Sequence, residues 1–255
     1  MESGHWYDKT GKLILEVPRA DGKGMKPPTL REARKNLWLP STTTILQLLS
    51  RPGLVTWKMQ QVVDACLHHT RGGGTVEEYS KRMIEASEEK VMLAADFGTQ
   101  VHKGIYQGFT EQRLDIDELP AEVVRGFWPW WEQQSFDCYK SEHSFVSPLG
   151  WAGTIDMVGT YEGDPCIVDF KTQEFTSEKG VNWYDEHPLQ LAGYASGSRD
   201  FIGQDVRRFS VVLSRNVPGL VVKKEWEESR RWDAAFLTLW DLWKLLKKYD
   251  PLQEN

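Results

Sequence analysis

Residues 153–171 read GTIDMVGTYEGDPCIVDFK and predict two β-strands joined by a tight turn. Residues 154–161 and 165–171 are rich in β-branched and aromatic side chains, which favour strands, and Glu162-Gly163-Asp164-Pro165 supplies turn residues between them. Successive side chains on a strand point to opposite faces, so Asp169 and Lys171 share one face. A simple antiparallel pairing of the two strands would bring Asp156 beside Asp169. The sequence thus predicts two acids and a lysine on one patch of sheet.

Ionised side chains are costly on so apolar a pair of strands unless they are paired or bound to a cation. Two neighbouring carboxylates repel each other and favour a hard divalent metal such as Mg²⁺ or Mn²⁺. A lysine beside that metal could orient an attacking water. The simpler alternative is a structural salt bridge between Lys171 and one of the acids. An isolated D-x-K favours that alternative, but G-x-x-D, an apolar strand and then D-x-K-T is a more specific pattern.

The composition sets the class of protein. The chain has 255 residues, 40% hydrophobic and 27% charged, which fits one globular domain. No apolar run is long enough to span a membrane, and residues 1–12 resemble neither a signal nor a transit peptide. Three scattered cysteines without a C-x-x-C pair argue against disulfides, a zinc knuckle or a four-cysteine iron–sulfur cluster. We expect a cytoplasmic protein.

Charge is unevenly distributed along the chain. The net charge of −6 disfavours a nucleic-acid partner at first sight. Residues 19–58, however, contain only Asp21 and Glu32 as acids against eight basic residues: Arg19, Lys23, Lys26, Arg31, Arg34, Lys35, Arg51 and Lys58. A local basic surface is therefore compatible with an acidic protein.

The N-terminal half predicts mainly helices. Residues 5–17 favour a β-hairpin, and the Pro/Gly/Lys-rich residues 18–40 favour an irregular loop. A first helix is expected at 41–51, capped by Ser41 or Thr42, and a second at 54–68. A third helix should begin at a capping box at Thr75 and run towards residue 90, and a fourth should span 93–109. His102 lies beside the apolar stripe of this last helix. A lone histidine in such a position is more often structural than a metal ligand.

The C-terminal half predicts the sheet and its covering helices. A helix is expected at 120–134, then a strand at 139–146 on which Glu142 could add a further acid to the site. Gln190 and Tyr194 lie four residues apart on a helix that begins near Pro188. A hairpin at 207–214 and 220–226 precedes a packing helix at 230–249. The sequence favours an α/β fold in one domain, with a mainly helical part (1–136) covering the site, a sheet core (137–226) and a C-terminal packing helix (227–255).

Five motifs in this order resemble a known family. His102, Gly153-x-x-Asp156, Asp169-Phe170-Lys171-Thr172 and Gln190-x-x-x-Tyr194 look like the RecB-like branch of the PD-(D/E)xK nuclease superfamily. Residues 39–44 with Trp57-Lys58, and residues 187–194, are similar to the mitochondrial genome maintenance exonuclease and related phage exonucleases. The similarity covers residues 39–215. It implies a restriction-endonuclease-like core, a mixed central β-sheet flanked by helices.

The resemblance also implies a role for individual residues. Asp156, Asp169 and the Phe170 carbonyl would bind Mg²⁺ or Mn²⁺, with His102 as an additional ligand. Lys171 would position or activate water, and Gln190 and Tyr194 would hold Lys171 and the substrate backbone. The substrate-binding residues implied are Ser41, Thr43, Lys58 and Thr172, with Ser41 approaching a phosphate at a helix N-terminus.

The implied activity is metal-dependent hydrolysis of DNA by an exonuclease acting on ends or single strands in replication, recombination or repair. Family members with an iron–sulfur cluster use four cysteines, which this chain lacks, and no mitochondrial presequence is recognisable, which favours a phage or bacterial context. Two alternatives stay open: a structure- or site-specific endonuclease on the same core, and a DNA-binding recombination partner in which cleavage is secondary. A recombination or single-strand-binding protein is an expected partner.

Overall fold

A five-stranded mixed β-sheet lies at the centre of the computed structural model, which describes residues 4–203 and 205–253. The described residues 4–131 form β1 (Trp6–Tyr7), β2 (Leu13–Ile14), β3 (Val17–Pro18), β4 (Met25–Lys26), α1 (Leu30–Asn36), β5 (Leu39–Pro40), α2 (Thr42–Leu46), α3 (Pro52–His68), α4 (Val76–Phe109) and α5 (Glu118–Trp131). The remainder forms β6 (Phe136–Val146), β7 (Ala152–Tyr161), β8 (Asp164–Gln173), α6 (Glu186–Gly197), α7 (Arg199–Ile202), β9 (Arg207–Ser214), β10 (Val221–Glu225) and α8 (Ser229–Lys247).

The central sheet has the strand order β10-β9-β8-β7-β6. Strands β6, β7 and β8 form an antiparallel meander, β8 and β9 run parallel, and β9 and β10 form an antiparallel hairpin. A parallel pair needs a crossover connection, and here α6 and α7 lie between β8 and β9 in the chain. The predicted α/β class, with a mixed sheet and flanking helices, is confirmed.

The turn between β7 and β8 is shorter than the predicted residues 162–165, because Asp164 and Pro165 already belong to β8. Glu162 and Gly163 both have positive φ, 55° and 88°, and Tyr161 pairs with Asp164 across the turn. Two consecutive residues with positive φ give a turn whose twist matches that of the flanking strands. This turn fixes the register of the two strands that carry the predicted acids.

Each face of the sheet packs against its own hydrophobic core. On one face, apolar residues of α4 and α5 meet Met157, Val168 and Phe170. On the other, α2, α6 and α8 pack with Ile155, Val158 and Ile167. Cys166, Val168 and Phe170 therefore share one core, while Ile167 lies in the other, as strand alternation predicts.

The helices differ from the predicted ones in length. The segment expected to hold two helices between residues 75 and 109 is a single helix of 34 residues, opened by the predicted Thr75–Glu78 capping box. No Pro or Gly interrupts residues 76–97, so the hydrogen-bond ladder continues. The helix predicted at 120–134 is α5, which begins at Glu118 and ends at Trp131, with Pro129 inside it. In contrast, α2 ends at Leu46 instead of near residue 51.

The prediction of an irregular loop at residues 18–40 is wrong. This segment contains β4, α1 and β5, and β3 ends in it. Thr29 and Glu32 form a capping box at the start of α1, a signal that the Pro/Gly/Lys-rich composition obscured. The hairpin predicted at residues 5–17 is confirmed by the pairing of β1 with β2.

None of the helices in the described ranges combines the length and apolar character needed to cross a bilayer.

Candidate functional site

Three acidic residues lie at one level of the sheet, one on each strand of the meander. The paired register of β7 and β8 ends at Met157 and Val168, the residues next to Asp156 and Asp169. On the other side of β7, Ser141 pairs with Met157 and His143 with Ile155, which sets Glu142 opposite Asp156. Asp156 thus lies between the other two acids. The direct pairing of Asp156 with Asp169 stays a prediction, because the ladder ends one residue before each of them.

Asp169 is fully buried and is held by two side chains. The Lys171 ammonium donates to Asp169 Oδ1 at 2.9 Å and lies 2.8 Å from Oδ2. Gln190, on α6, accepts from Lys171 through its carbonyl oxygen at 3.1 Å and donates to Asp169 Oδ1 at 2.9 Å. Its amide nitrogen also donates to the Tyr194 hydroxyl at 2.6 Å. Gln190 therefore links the acid, the lysine and the tyrosine.

Asp156 faces a different set of groups. Its Oδ2 accepts a 2.7 Å hydrogen bond from the Phe170 N–H, and its Oδ1 lies 3.5 Å from His102 Nδ1. His102 reaches this position from α4, on the opposite side of the sheet from α6. The helices that cover the two faces thus each contribute a side chain to one end of the sheet.

The protonation equilibria reflect this crowding of charge. Burial raises the pKa of Asp169 to about 6 in spite of the Lys171 charge. Burial would also raise the pKa of Asp156, but His102, Lys171 and the Phe170 N–H outweigh it and lower that pKa. The neighbouring carboxylates raise the pKa of His102 to about 9 and that of Lys171 above its usual value, against the effect of burial. His102, Lys171 and Asp156 therefore favour one another's charged forms.

The donor set fits a hard divalent cation. His102, Glu142 and Asp156 each offer a ligand atom, and these atoms lie within 4.8 Å of one another. The buried Asp169 Oδ2 lies 2.8 Å from the Lys171 ammonium and is therefore already ion-paired. Carboxylate oxygens with one imidazole suit Mg²⁺ or Mn²⁺. His102, Glu142 and Asp156 could therefore hold such an ion.

The four predicted substrate-binding residues belong to three elements, α2, α3 and β8. Ser41 is the N-cap of α2, where its hydroxyl accepts from Thr44 N at 3.0 Å and lies 2.9 Å from the Thr43 hydroxyl. Lys58 is exposed on α3. Thr172 follows Lys171 on β8, and its hydroxyl faces Gly98 on α4. Their roles toward a substrate stay predictions.

One hydroxyl-bearing residue near the site escaped the sequence analysis. The Tyr7 hydroxyl lies 3.0 Å from that of Thr154, which lies 2.9 Å from that of Ser144. Burial raises the pKa of Tyr7, and the charge of Glu142 adds to the effect. Tyr7 and Thr154 are 147 positions apart, so no local pattern in the sequence could have linked them.

The comparisons with known proteins leave the family open. No model of a known protein family matches the chain, and no curated protein matches it either. One similar solved structure is the crystal structure of SSO0001. The likeness covers 74% of this chain and 86% of that chain, with 13% sequence identity and a TM-score of 0.30. A likeness this distant supports no conclusion about fold family or function.

Proposed function

We propose that the chain is a metal-dependent DNA nuclease with a restriction-endonuclease-like core, acting as an exonuclease on DNA ends or single strands. The observation that carries the proposal is the network in which Asp169, Lys171 and Gln190 meet beside Asp156 and His102. Two buried carboxylates with a lysine at hydrogen-bond distance are the groups that metal-assisted phosphodiester hydrolysis requires. Mg²⁺ or Mn²⁺ is the expected cofactor.

The chemistry follows from charge. A phosphodiester is anionic and resists attack by hydroxide, and a bound divalent cation neutralises it and lowers the pKa of a coordinated water. In this chain Asp156, Asp169, His102 and the Phe170 carbonyl would hold the cation. Lys171 would position the attacking water, because its ammonium has three donors and the Asp169 and Gln190 contacts fix its location.

Gln190 and Tyr194 would act through Lys171. Tyr194 is only 4% exposed and its hydroxyl accepts from the Gln190 amide, so it contacts Gln190 and not the solvent-facing side of the site. The amide then presents its oxygen to Lys171 and its nitrogen to Asp169. This arrangement would keep the ammonium in place when a cation competes for the carboxylate.

We predict that Asp169→Asn and Lys171→Met each lower the cleavage rate by about 10³-fold or more, as expected when a group needed for the chemical step is removed. Cleavage of end-labelled linear, circular, single-stranded and double-stranded DNA would be followed on gels with Mg²⁺ and with Mn²⁺. Asp164→Asn, on the exposed start of β8, and Lys179→Met, in the exposed loop after it, are the charge-matched controls.

The same gels separate the alternatives. Release of labelled ends from linear DNA with intact circles supports the exonuclease, whereas nicked or linearised circles indicate an endonuclease. DNA binding without metal-dependent cleavage of any substrate would point to a DNA-binding recombination partner. Full activity of the Asp169 or Lys171 variants would contradict the site assignment.

A further inference from the structure

Lys224, on β10, lies between two tryptophan rings. Its ammonium nitrogen is 4.0 Å from the centre of the Trp226 ring and 5.4 Å from that of Trp183. The two rings are nearly perpendicular, at 85°, so they form a corner around the ammonium. Attraction between a cation and an aromatic face keeps such a group in place. All three residues are partly exposed, so this corner is open to solvent.

The charge of Lys224 is left without a partner of opposite sign in the part of the chain that the structure describes. Glu225, the next residue, pairs with Arg207, and Glu186 on α6 pairs with Arg51. The indole rings attract the ammonium but are neutral, so they do not cancel its charge. Because an ammonium has three N–H donors and no acceptor, Lys224 is suited to bind an anion.

Lys224 lies in line with the buried acid of the proposed site. Asp169 on β8 pairs with Ser210 on β9, and Ser210 pairs with Lys224 on β10, so the three side chains share one face of the sheet. The Trp226 indole lies on this face too, since its N–H donates to the Ser210 hydroxyl at 3.0 Å. Neighbouring strands are about 4.8 Å apart, so β10 lies about 10 Å from β8. A DNA strand advances about 3.4 Å per nucleotide and would cover that distance within a few nucleotides.

His187, at the start of α6, is near both the proposed site and the aromatic corner. It is 3% exposed, and its ring contacts those of Trp183 and Trp226. Burial lowers its pKa to about 4, and the charges of Lys171 and Lys224 both add to the effect. One imidazole thus experiences the charge of the lysine in the proposed site and that of the lysine in the corner.

We propose that Lys224 binds a backbone phosphate of the DNA strand, a few nucleotides away from the phosphate that is cleaved. Trp183 and Trp226 hold the ammonium in position before the DNA arrives, so less side-chain entropy is lost on binding than for an unconstrained lysine. The inference rests on the proposed function and extends it, because it adds a substrate contact outside the network around Asp169. A phosphate contact carries no sequence information, so the contribution of Lys224 should be the same for every DNA sequence.

Lys224→Met tests the proposal, because it removes the charge and keeps an unbranched apolar side chain against the two indoles. Fluorescence anisotropy with a single-stranded oligonucleotide in EDTA should give a slope of log K against log salt that is smaller in magnitude by about 0.7, the value for one lost phosphate contact. With Mg²⁺, KM for cleavage should rise by about threefold or more at unchanged kcat, since the contact is equal in the bound substrate and the transition state. Lys224→Arg keeps the charge and stacks on indoles, so it should restore both quantities.

Lys223→Met is the matched control. Lys223 precedes Lys224 on β10 and also lies over two aromatic rings, those of Phe136 and Tyr161, but on the opposite face of the sheet. Its ammonium donates to the Gln134 side-chain oxygen and to the Tyr161 hydroxyl. Because those contacts lie away from the proposed site, Lys223→Met should leave the salt slope and KM unchanged.

The possible outcomes separate this inference from the proposed function. A wild-type salt slope and KM in Lys224→Met would overturn the inference and leave the nuclease intact. Equal changes in the Lys223 and Lys224 variants would also overturn it, because they would assign both lysines a structural role. A wild-type protein that neither binds nor cleaves DNA would overturn the proposed function as well.

Discussion

Asp169 and Lys171 are two residues apart on β8 and neutralise each other in an interior that neither could occupy alone. Asp169 is fully buried, and burial raises its pKa to about 6 even with the ammonium beside it. An ion pair in such surroundings contributes little net stability, because desolvation of the charges offsets their attraction. The pair is better explained by a role in binding or catalysis than by a role in stability.

His187, one residue before Pro188 on α6, is a buried histidine that the site does not use. It is 3% exposed, its Nδ1 has no partner among the described residues, and it contacts the rings of Trp183, Tyr184 and Trp226. Burial, with the charges of Lys171 and Lys224, lowers its pKa to about 4. The folded protein therefore holds this imidazole neutral at pH values where an unfolded chain would protonate it.

This difference predicts a loss of stability in acid. Because the pKa is lower in the folded state than the ordinary 6.5, the unfolded chain binds the extra proton, and stability falls as the pH drops from about 6.5 to about 4. The full effect is on the order of 3 kcal/mol. His187→Phe should remove it, so urea unfolding at pH 7 and pH 4 should show a smaller acid loss in the variant.

The difference between the acid loss of stability of the wild type and that of the variant is the contribution of His187. Asp169 and Glu142, whose pKa values are raised to about 6 and about 7, stabilise the folded state as the pH falls, but they do so equally in both proteins. His68→Gln, at a histidine whose side chain is 70% exposed, is the control and should leave the acid loss unchanged. Equal acid losses in the wild type and His187→Phe would refute the assignment.

At the scale of elements, α6 is the helix that connects the site to the core. Its residues from His187 to Gly197 are all buried, and it packs against α2 and α8 while presenting Gln190 and Tyr194 to the sheet. Such packing leaves no room for larger side chains. A Cβ on Gly193 would lie 2.4 Å from Thr42 Cγ2 and 2.7 Å from the Phe236 ring.

We predict that Gly193→Ala destabilises the protein by about 1–3 kcal/mol, because it overpacks a fully buried contact. The usual effect of Gly→Ala within a helix is a gain of about 0.5–1 kcal/mol. Gly98→Ala on α4 is the control, since its Cβ would meet only Thr172 Oγ1 at an ordinary 3.4 Å. Urea unfolding of both variants provides the measurement, and a Gly193→Ala protein as stable as the wild type would contradict the packing argument.

At the scale of the whole molecule, the basic residues between 19 and 58 are partly neutralised. Lys26 pairs with Glu32, Arg51 lies 2.8 Å from Glu186, and Arg34 donates to the Lys247 carbonyl. Lys58 is exposed on α3, next to Trp57 in the cleft between α3 and α4. Of the basic residues in this region, Lys58 is the one that the family resemblance assigns to substrate binding.

We predict that binding of a single-stranded oligonucleotide, measured by fluorescence anisotropy in EDTA to prevent cleavage, weakens steeply with salt. Each phosphate contact releases counterions, so the slope of log K against log salt falls in magnitude by about 0.7 when one contact is removed. Lys58→Ala should show that smaller slope. Lys12→Ala, at an exposed residue of the β1–β2 turn, should leave the slope unchanged, and an affinity of the wild type that does not vary with salt would rule out phosphate contacts here.

Much of the local structure could be predicted from the sequence. The turn at Glu162-Gly163, the capping box at Thr75 and the hairpin formed by β9 and β10 depend on residues close in the chain, so short-range rules were enough. Helix lengths were less predictable. Where α2 ends, and whether α4 is one helix or two, depends on what each helix packs against.

The sequence by itself predicted two acids and a lysine on one patch of sheet, because strand alternation sets which side chains share a face and the turn residues after Tyr161 join the two strands that carry the acids. Only the tertiary structure decided which groups surround them. It brought His102 from one face of the sheet and Gln190 from the other, and it set Glu142 beside Asp156 through the pairing of β6 with β7. These contacts join residues 14 to 54 positions apart, whose meeting is set by the packing of two helical layers on the sheet and by no local pattern.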